Sequence, residues 1–198
     1  MSRPGGGAPP TWSGNRLFLV GMMGSGKTTV GRLVATALGW QHCDSDAMVE
    51  ARTGHTVVEL ARDVGEAAMH AEEAAALREA AVLDGVVVSV AGGAVLDPAS
   101  RSLLGAAGAV VWLRARPDTL ATRVAGGGAR PLVGSDAVGR PVPGSDAVGR
   151  LRALDAERRP FYVAVSQAAV DVDGQEPEAV AHDVLLAFER LRAAGPGS

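Results

Sequence analysis

Short unbroken apolar runs alternate along this chain with longer segments whose apolar positions recur every three or four residues. Residues 16–20, Arg-Leu-Phe-Leu-Val, read as a buried strand, and residues 27–38 carry helical periodicity. Residues 40–43 form a second strand, followed by a helix beginning near Ala47. Helices are predicted over residues 56–63 and 66–83, where Glu72-Glu73 reads as a solvated face. Residues 86–91 have the β-branched character of a buried parallel strand. A helix over 98–106, a strand over 109–113 and a helix over 117–124 come next, the last with Pro117 near its first turn. Residues 151–162 are helical up to a break at Pro160, residues 168–172 form a final strand, and residues 177–194 form a closing amphipathic helix. Strands alternating with helices predict a three-layer α/β fold with a largely parallel sheet.

The alternation is interrupted once. Residues 125–150 are rich in Gly, Pro, Ser and Asp and too long for a simple connection, which is the character of a functional lid. Within them Arg130-Pro-Leu-Val-Gly-Ser-Asp-Ala-Val-Gly139 is repeated at once as Arg140-Pro-Val-Pro-Gly-Ser-Asp-Ala-Val-Gly149. Doubling a flexible loop costs only about 0.6 kcal/mol of closure entropy, so a local duplication is tolerated there. Residues 1–15, rich in Gly and Pro, read as a disordered tail, residues 16–194 as one domain, and residues 195–198 as a short tail.

Composition narrows the function. With 198 residues, 47% of them hydrophobic, the chain can bury one good core. A net charge of -3 gives no broad footprint for nucleic acid, and no apolar stretch is long enough to span a bilayer. The single cysteine, Cys43, excludes an internal disulfide and reads as a small buried side chain. The expectation is a cytoplasmic monomer acting on a small molecule, without nucleic-acid or membrane partners.

The chemistry starts at Gly21-Met-Met-Gly-Ser-Gly-Lys-Thr28, which fits the phosphate-binding pattern G-x-x-x-x-G-K-[ST] at every fixed position. It lies between a strand and a helix, as that pattern requires. Backbone N–H groups over Gly24, Ser25 and Gly26 and the helix N-terminus suit phosphate oxygens. Lys27 would reach the β and γ phosphates of a nucleotide, and the Thr28 hydroxyl would ligate Mg²⁺. Of 19 basic residues, 18 are Arg and one is Lys27, the compact cation that such a nest accommodates.

The second strand delivers Asp44-Ser45-Asp46 to its C-terminal end, where ligands bind in open α/β sheets. One carboxylate could lie near Mg²⁺ and the other orient an attacking hydroxyl, or one could simply cap the helix. Gly92-Gly93 ends the third strand as a turn or as a close approach for a ligand. His42, His55 and His182 lack metal-ligand spacing.

Together these features resemble the shikimate kinase family, small kinases of the nucleoside-monophosphate-kinase-like P-loop fold. The resemblance covers about residues 16–192. It rests on the P-loop continuing into Thr29-Val30-Gly31-Arg32, on Asp44-x-Asp46, Gly65-Glu66 and Gly92-Gly93, and on Arg130-Pro131-Leu132 and Glu157-Arg158-Arg159-Pro160-x-Tyr162. It implies five parallel strands and transfer of the ATP γ-phosphoryl group to the 3-hydroxyl of shikimate. It implies a catalytic set of Lys27, Asp46 and Arg130, with Asp46 orienting the hydroxyl and Asp44 near the metal. Arg158 would hold the substrate carboxylate, Gly92 and Gly93 would line its site, and Thr29, Arg123 and Arg130, or its duplicate Arg140, would serve the nucleotide.

Two stretches depart from the family pattern. Met69-His70 stands where the family has Phe-Arg, and Ala91 replaces the first of three glycines. An imidazole cannot grip a carboxylate in bidentate fashion, but Glu73 three residues on would favour a charged His70 that still binds the substrate. These departures leave open a related cyclitol or sugar acid as acceptor, or a nucleotide-binding relative without catalysis.

Overall fold

A computed structural model of the chain describes residues 15–126 and 147–194. Five strands, β1 (Arg16–Val20), β2 (Gln41–Asp44), β3 (Val86–Ser89), β4 (Ala109–Arg114) and β5 (Ala168–Asp171), form one sheet in the order β2-β3-β1-β4-β5. All four pairings are parallel. The helices are α1 (Lys27–Leu38), α2 (Ser45–Thr53), α3 (Val57–Asp63), α4 (Glu66–Ala80), α5 (Pro98–Ala107), α6 (Pro117–Gly126), α7 (Ala147–Val165) and α8 (Pro177–Ala193). The three-layer α/β expectation and its five parallel strands therefore hold.

The β-branched runs become the buried middle of the sheet: Val86, Val87 and Val88 of β3 and Val110 and Val111 of β4 are fully buried, as are Leu17, Phe18 and Leu19 of β1. Right-handed crossovers place α1 on one face and α5 and α7 on the other, because the chain moves one way from β1 to β2 and the opposite way from β3 onward. Contacts of α1 with α8, and of α5 with α7, agree. The direction reverses between neighbouring strands β1 and β3, which opens a crevice at their C-terminal ends. The P-loop leaves β1 and the Gly92-Gly93 turn follows β3 there.

Several local expectations are corrected. α7 does not break at Pro160 but runs through it to Val165. Proline costs a helix interior about 3 kcal/mol, yet Tyr162 and Val165 beyond it are both buried and each stabilises the continued helix by roughly 1.5–3 kcal/mol. α7 also starts at Ala147, and α6 reaches Gly126, so both ends of the expected irregular segment are helical. Strand β3 ends at Ser89, its register partner being Asp44 at the end of β2, and the Ala91 N–H turns to the Ser45 hydroxyl at 2.8 Å. α4 ends at Ala80, and its Glu72-Glu73 face is not simply solvated. Arg52 of α2 pairs with Glu72 at 3.1 Å, and the Glu73 side chain is only 13% exposed. None of the described helices is long and apolar enough to cross a membrane.

Candidate active site

The P-loop is built as its sequence demands. Gly24 and Gly26 have φ of 77° and 91°, a left-handed backbone that glycine adopts without strain, and Gly26 caps α1. Gly21 meets the sheet so closely that a Cβ there would lie 2.6 Å from the Leu113 carbonyl oxygen. Lys27 Nζ donates to the carbonyl oxygens of Gly21 at 2.9 Å and Met22 at 3.0 Å, which holds the ammonium along the loop.

At the start of α2, Asp44 caps the helix, the alternative left open for this pair, and also binds a residue of the P-loop. Its Oδ1 accepts the Asp46 N–H at 3.1 Å and caps the helix, while its Oδ2 accepts the Thr28 hydroxyl at 2.7 Å. Helix α2 consequently begins at Ser45 rather than near Ala47. Thr28 and Asp44 thus form a pair of oxygen donors beside the P-loop, which suits a hard cation completed by waters and phosphate oxygens. Asp46 is half-buried in the first turn, beside the positive end of the helix. Behind Asp44, the His42 ring nitrogen lies 3.0 Å from the Ser89 hydroxyl. Burial lowers the His42 pKa, with Asp44 pulling it back up and Arg32 pushing it further down. Cys43 is half-buried, and burial raises its thiol pKa, which keeps it unreactive.

Across the crevice, Arg158, Gly92 and Gly93 meet. A Cβ on Gly92 would lie 3.3 Å from the Gly21 carbonyl oxygen and 3.5 Å from Arg158 Nη1, and one on Gly93 would lie 3.9 Å from Arg158 Nη2. A Cβ at Gly92 would be a tight fit, whereas one at Gly93 would make an ordinary contact. Among the described residues, the buried side-chain polar atoms without a hydrogen-bond partner are Ser25 Oγ and Arg158 Nε. Unpaired buried polar groups are costly; Arg158 lies in this crevice, and Ser25 belongs to the P-loop.

Arg123 and Thr29 are brought together in a cavity of about 380 Å³ with Ser25, Gly26, Gln175 and Pro177. Arg123 Nη2 donates to the Val172 carbonyl oxygen at 2.9 Å. Gln175, between β5 and α8, and Pro177, the first residue of α8, were not read from the sequence as lining this cavity; their place just past a strand end is the signal that marks them. His70, on α4, is 60% exposed and its Nδ1 lies 3.0 Å from Glu73 Oε2, so the pairing inferred from spacing is present. Met69 packs against the small satellite core of Val49, Leu60 and Ala76. Arg130 and Arg140 lie outside the described residues.

The shikimate kinase family model matches residues 23–189, a span that includes the P-loop lysine, both carboxylates, the Gly92-Gly93 turn and Arg158. The chain belongs to the shikimate kinase family. A shikimate kinase from Halorhodospira halophila is 42% identical over 175 residues, covering 88% of this chain and 94% of the relative. One from Symbiobacterium thermophilum is 40% identical, covering 90% and 97% respectively. The solved structure of shikimate kinase from Acinetobacter baumannii in complex with shikimate has a TM-score of 0.81 at 28% identity and covers 90% of this chain and 95% of that one. In this member of the shikimate kinase family, His70 and Ala91 are departures within a chain that otherwise matches the family model.

Proposed function

We propose that this ATP-dependent phosphotransferase binds ATP at the P-loop and transfers its γ-phosphoryl group to the 3-hydroxyl of shikimate, giving shikimate 3-phosphate and ADP. The observation that carries this reading is the meeting of two kinds of site across one crevice. A phosphate-binding loop faces a guanidinium over a glycine turn, with the Gly92 Cβ position 3.3 Å from the Gly21 carbonyl oxygen. Phosphoryl transfer is mainly positioning plus neutralisation of charge, and this arrangement supplies both.

In this reading Lys27 turns from the loop carbonyls to the β and γ phosphates, and the backbone N–H groups of Gly24, Ser25, Gly26 and Thr29 bind phosphate oxygens. The cavity beside Arg123 receives the nucleoside. Asp46 accepts a hydrogen bond from the acceptor hydroxyl and orients it toward the γ-phosphorus. Arg158 grips the acceptor carboxylate, using donors that include its buried, unpartnered Nε, while Gly92 and Gly93 admit the ring close to the backbone. His70, held by Glu73, adds a second donor toward that carboxylate, and Arg130 or Arg140 neutralises phosphate charge. Thr28 and Asp44 would hold Mg²⁺, which neutralises charge on the β and γ oxygens when bound.

The test is ADP release from MgATP by the purified chain with and without shikimate, with Lys27→Ala as the blank. Release that depends on shikimate and vanishes in Lys27→Ala is expected. No stimulation by shikimate, with ATP binding intact, would overturn the acceptor.

A further inference from the structure

Tyr162 is the single tyrosine of the chain and is fully buried. Its ring stacks on Trp112 at a centroid distance of 5.7 Å. Its hydroxyl donates to the Gly92 carbonyl oxygen at 2.8 Å and touches the Met22 sulfur at 3.8 Å. The Arg158 guanidinium, one helical turn earlier on α7, stands over the same turn: a Cβ on Gly92 would lie 3.5 Å from both Arg158 Nη1 and the Tyr162 hydroxyl. Burial pushes the phenol far above the ordinary tyrosine range, with Arg158 pulling the other way, so the hydroxyl keeps its proton and remains a donor. One buried oxygen therefore joins the P-loop to the turn after β3, with the guanidinium of α7 alongside.

The direction of the Gly92 carbonyl has a consequence for the next amide. The described peptide bonds are trans, so a carbonyl held toward Tyr162 points the N–H of Gly93 away from it. Among the described residues, neither the Gly92 nor the Gly93 N–H is taken by a protein acceptor, whereas Ala91 and Ala94 on either side are both bonded. A phenol on the buried side thus aims a spare amide donor outward beside Arg158.

We propose that Tyr162 is a positioning residue for the transfer reaction, its hydroxyl fixing the Gly92-Gly93 turn and Arg158 as one rigid acceptor-binding unit against the P-loop. The inference rests on the acceptor reading above and adds the group that sets its geometry. Without the hydroxyl the Gly92 carbonyl is left unpaired in the interior, and the turn beside Arg158 is free to rotate. The nucleotide's contacts along the P-loop backbone and in the Arg123 cavity are untouched.

Tyr162→Phe removes only that oxygen. The expected result is a fall of about tenfold in kcat/KM for shikimate, the usual order for one buried hydrogen bond, with KM for MgATP unchanged. Trp112→Phe, which loosens the stacked ring but keeps the hydroxyl, should lower the melting temperature and leave both KM values as they were. Should Tyr162→Phe fail to fold, uniform replacement of tyrosine by 3-fluorotyrosine places one fluorine in the whole chain, beside this hydroxyl. Its NMR resonance should shift on saturation with shikimate and much less with MgADP. Unaltered Tyr162→Phe kinetics, a parallel rise in both KM values, or a resonance indifferent to shikimate would each overturn the inference while the acceptor reading stands. A wild-type chain inactive on shikimate would remove both.

Discussion

Asp44 shows how much one side chain can settle. Its two oxygens cap α2 and hold the Thr28 hydroxyl, so the helix that carries Asp46 and the residue proposed for the metal are fixed by the same carboxylate. Asp46→Asn keeps the size and the position in the helix but weakens the acceptor of the substrate proton. We expect kcat to fall by about 10²–10⁴, the usual contribution of a positioned acid–base group, with ATP affinity preserved. Steady-state rates and nucleotide titrations check this, and a variant of normal kcat would remove Asp46 from the reaction. At this scale the P-loop and the two aspartates were legible in the sequence because their chemistry is local. Tyr162 stood in the motif after Arg158, but what it touches was not legible, since its contact with Met22 spans 140 positions and no spacing rule links them.

The elements around the site are held by short-range devices that sequence rules foresee. α5, which leaves the Gly92-Gly93 turn through a single 3-10 turn at Ala94–Leu96, starts with Pro98 and is capped by Asp97. Hydrogen bonds from the Ser100 hydroxyl and amide, and then from the Ala99 amide, hold the Asp97 carboxyl below its ordinary value of 3.8. The unfolded chain binds that proton more readily. The cap therefore contributes fully above pH 3.8 and is lost as pH falls through the lower folded value. Asp97→Ala should cost about 1 kcal/mol or less at pH 7, given its exposure, and the gap to wild type should close as pH drops below that window. Thermal melts across pH 2–7 check it, and a gap that does not vary with pH would contradict it. Pro160 marks where such rules stop. Local propensity ends the helix there, and burial of Tyr162 and Val165 continues it.

For the whole molecule, the two halves of the site come from opposite ends of the chain, the P-loop from β1 and Arg158 from α7, and they meet because the sheet order places β3 beside β1. A ligand that binds only the folded chain stabilises it by about 2.7 kcal/mol at a concentration of 100 Kd. MgADP at that level should raise the melting temperature by roughly 5–10 °C, and Lys27→Ala should lose most of the shift. Chelation of divalent cations should stop shikimate-dependent ADP release, and added Mg²⁺ should restore it. A rate indifferent to chelation would remove the assigned role of Thr28 and Asp44.

The sequence by itself determined the α/β class, the phosphate-binding loop, the carboxylate pair and the family, because each is written in periodicity or in fixed spacings of a few residues. Tertiary structure decided what distant segments do to one another. It carried α7 through Pro160, it gave Asp44 both of its roles, and it placed the Tyr162 hydroxyl between Met22, Gly92 and Arg158. Those outcomes depend on which strands lie side by side and on what is buried between them. Burial energies of a few kcal/mol per side chain there outweigh the smaller local preferences that a sequence displays.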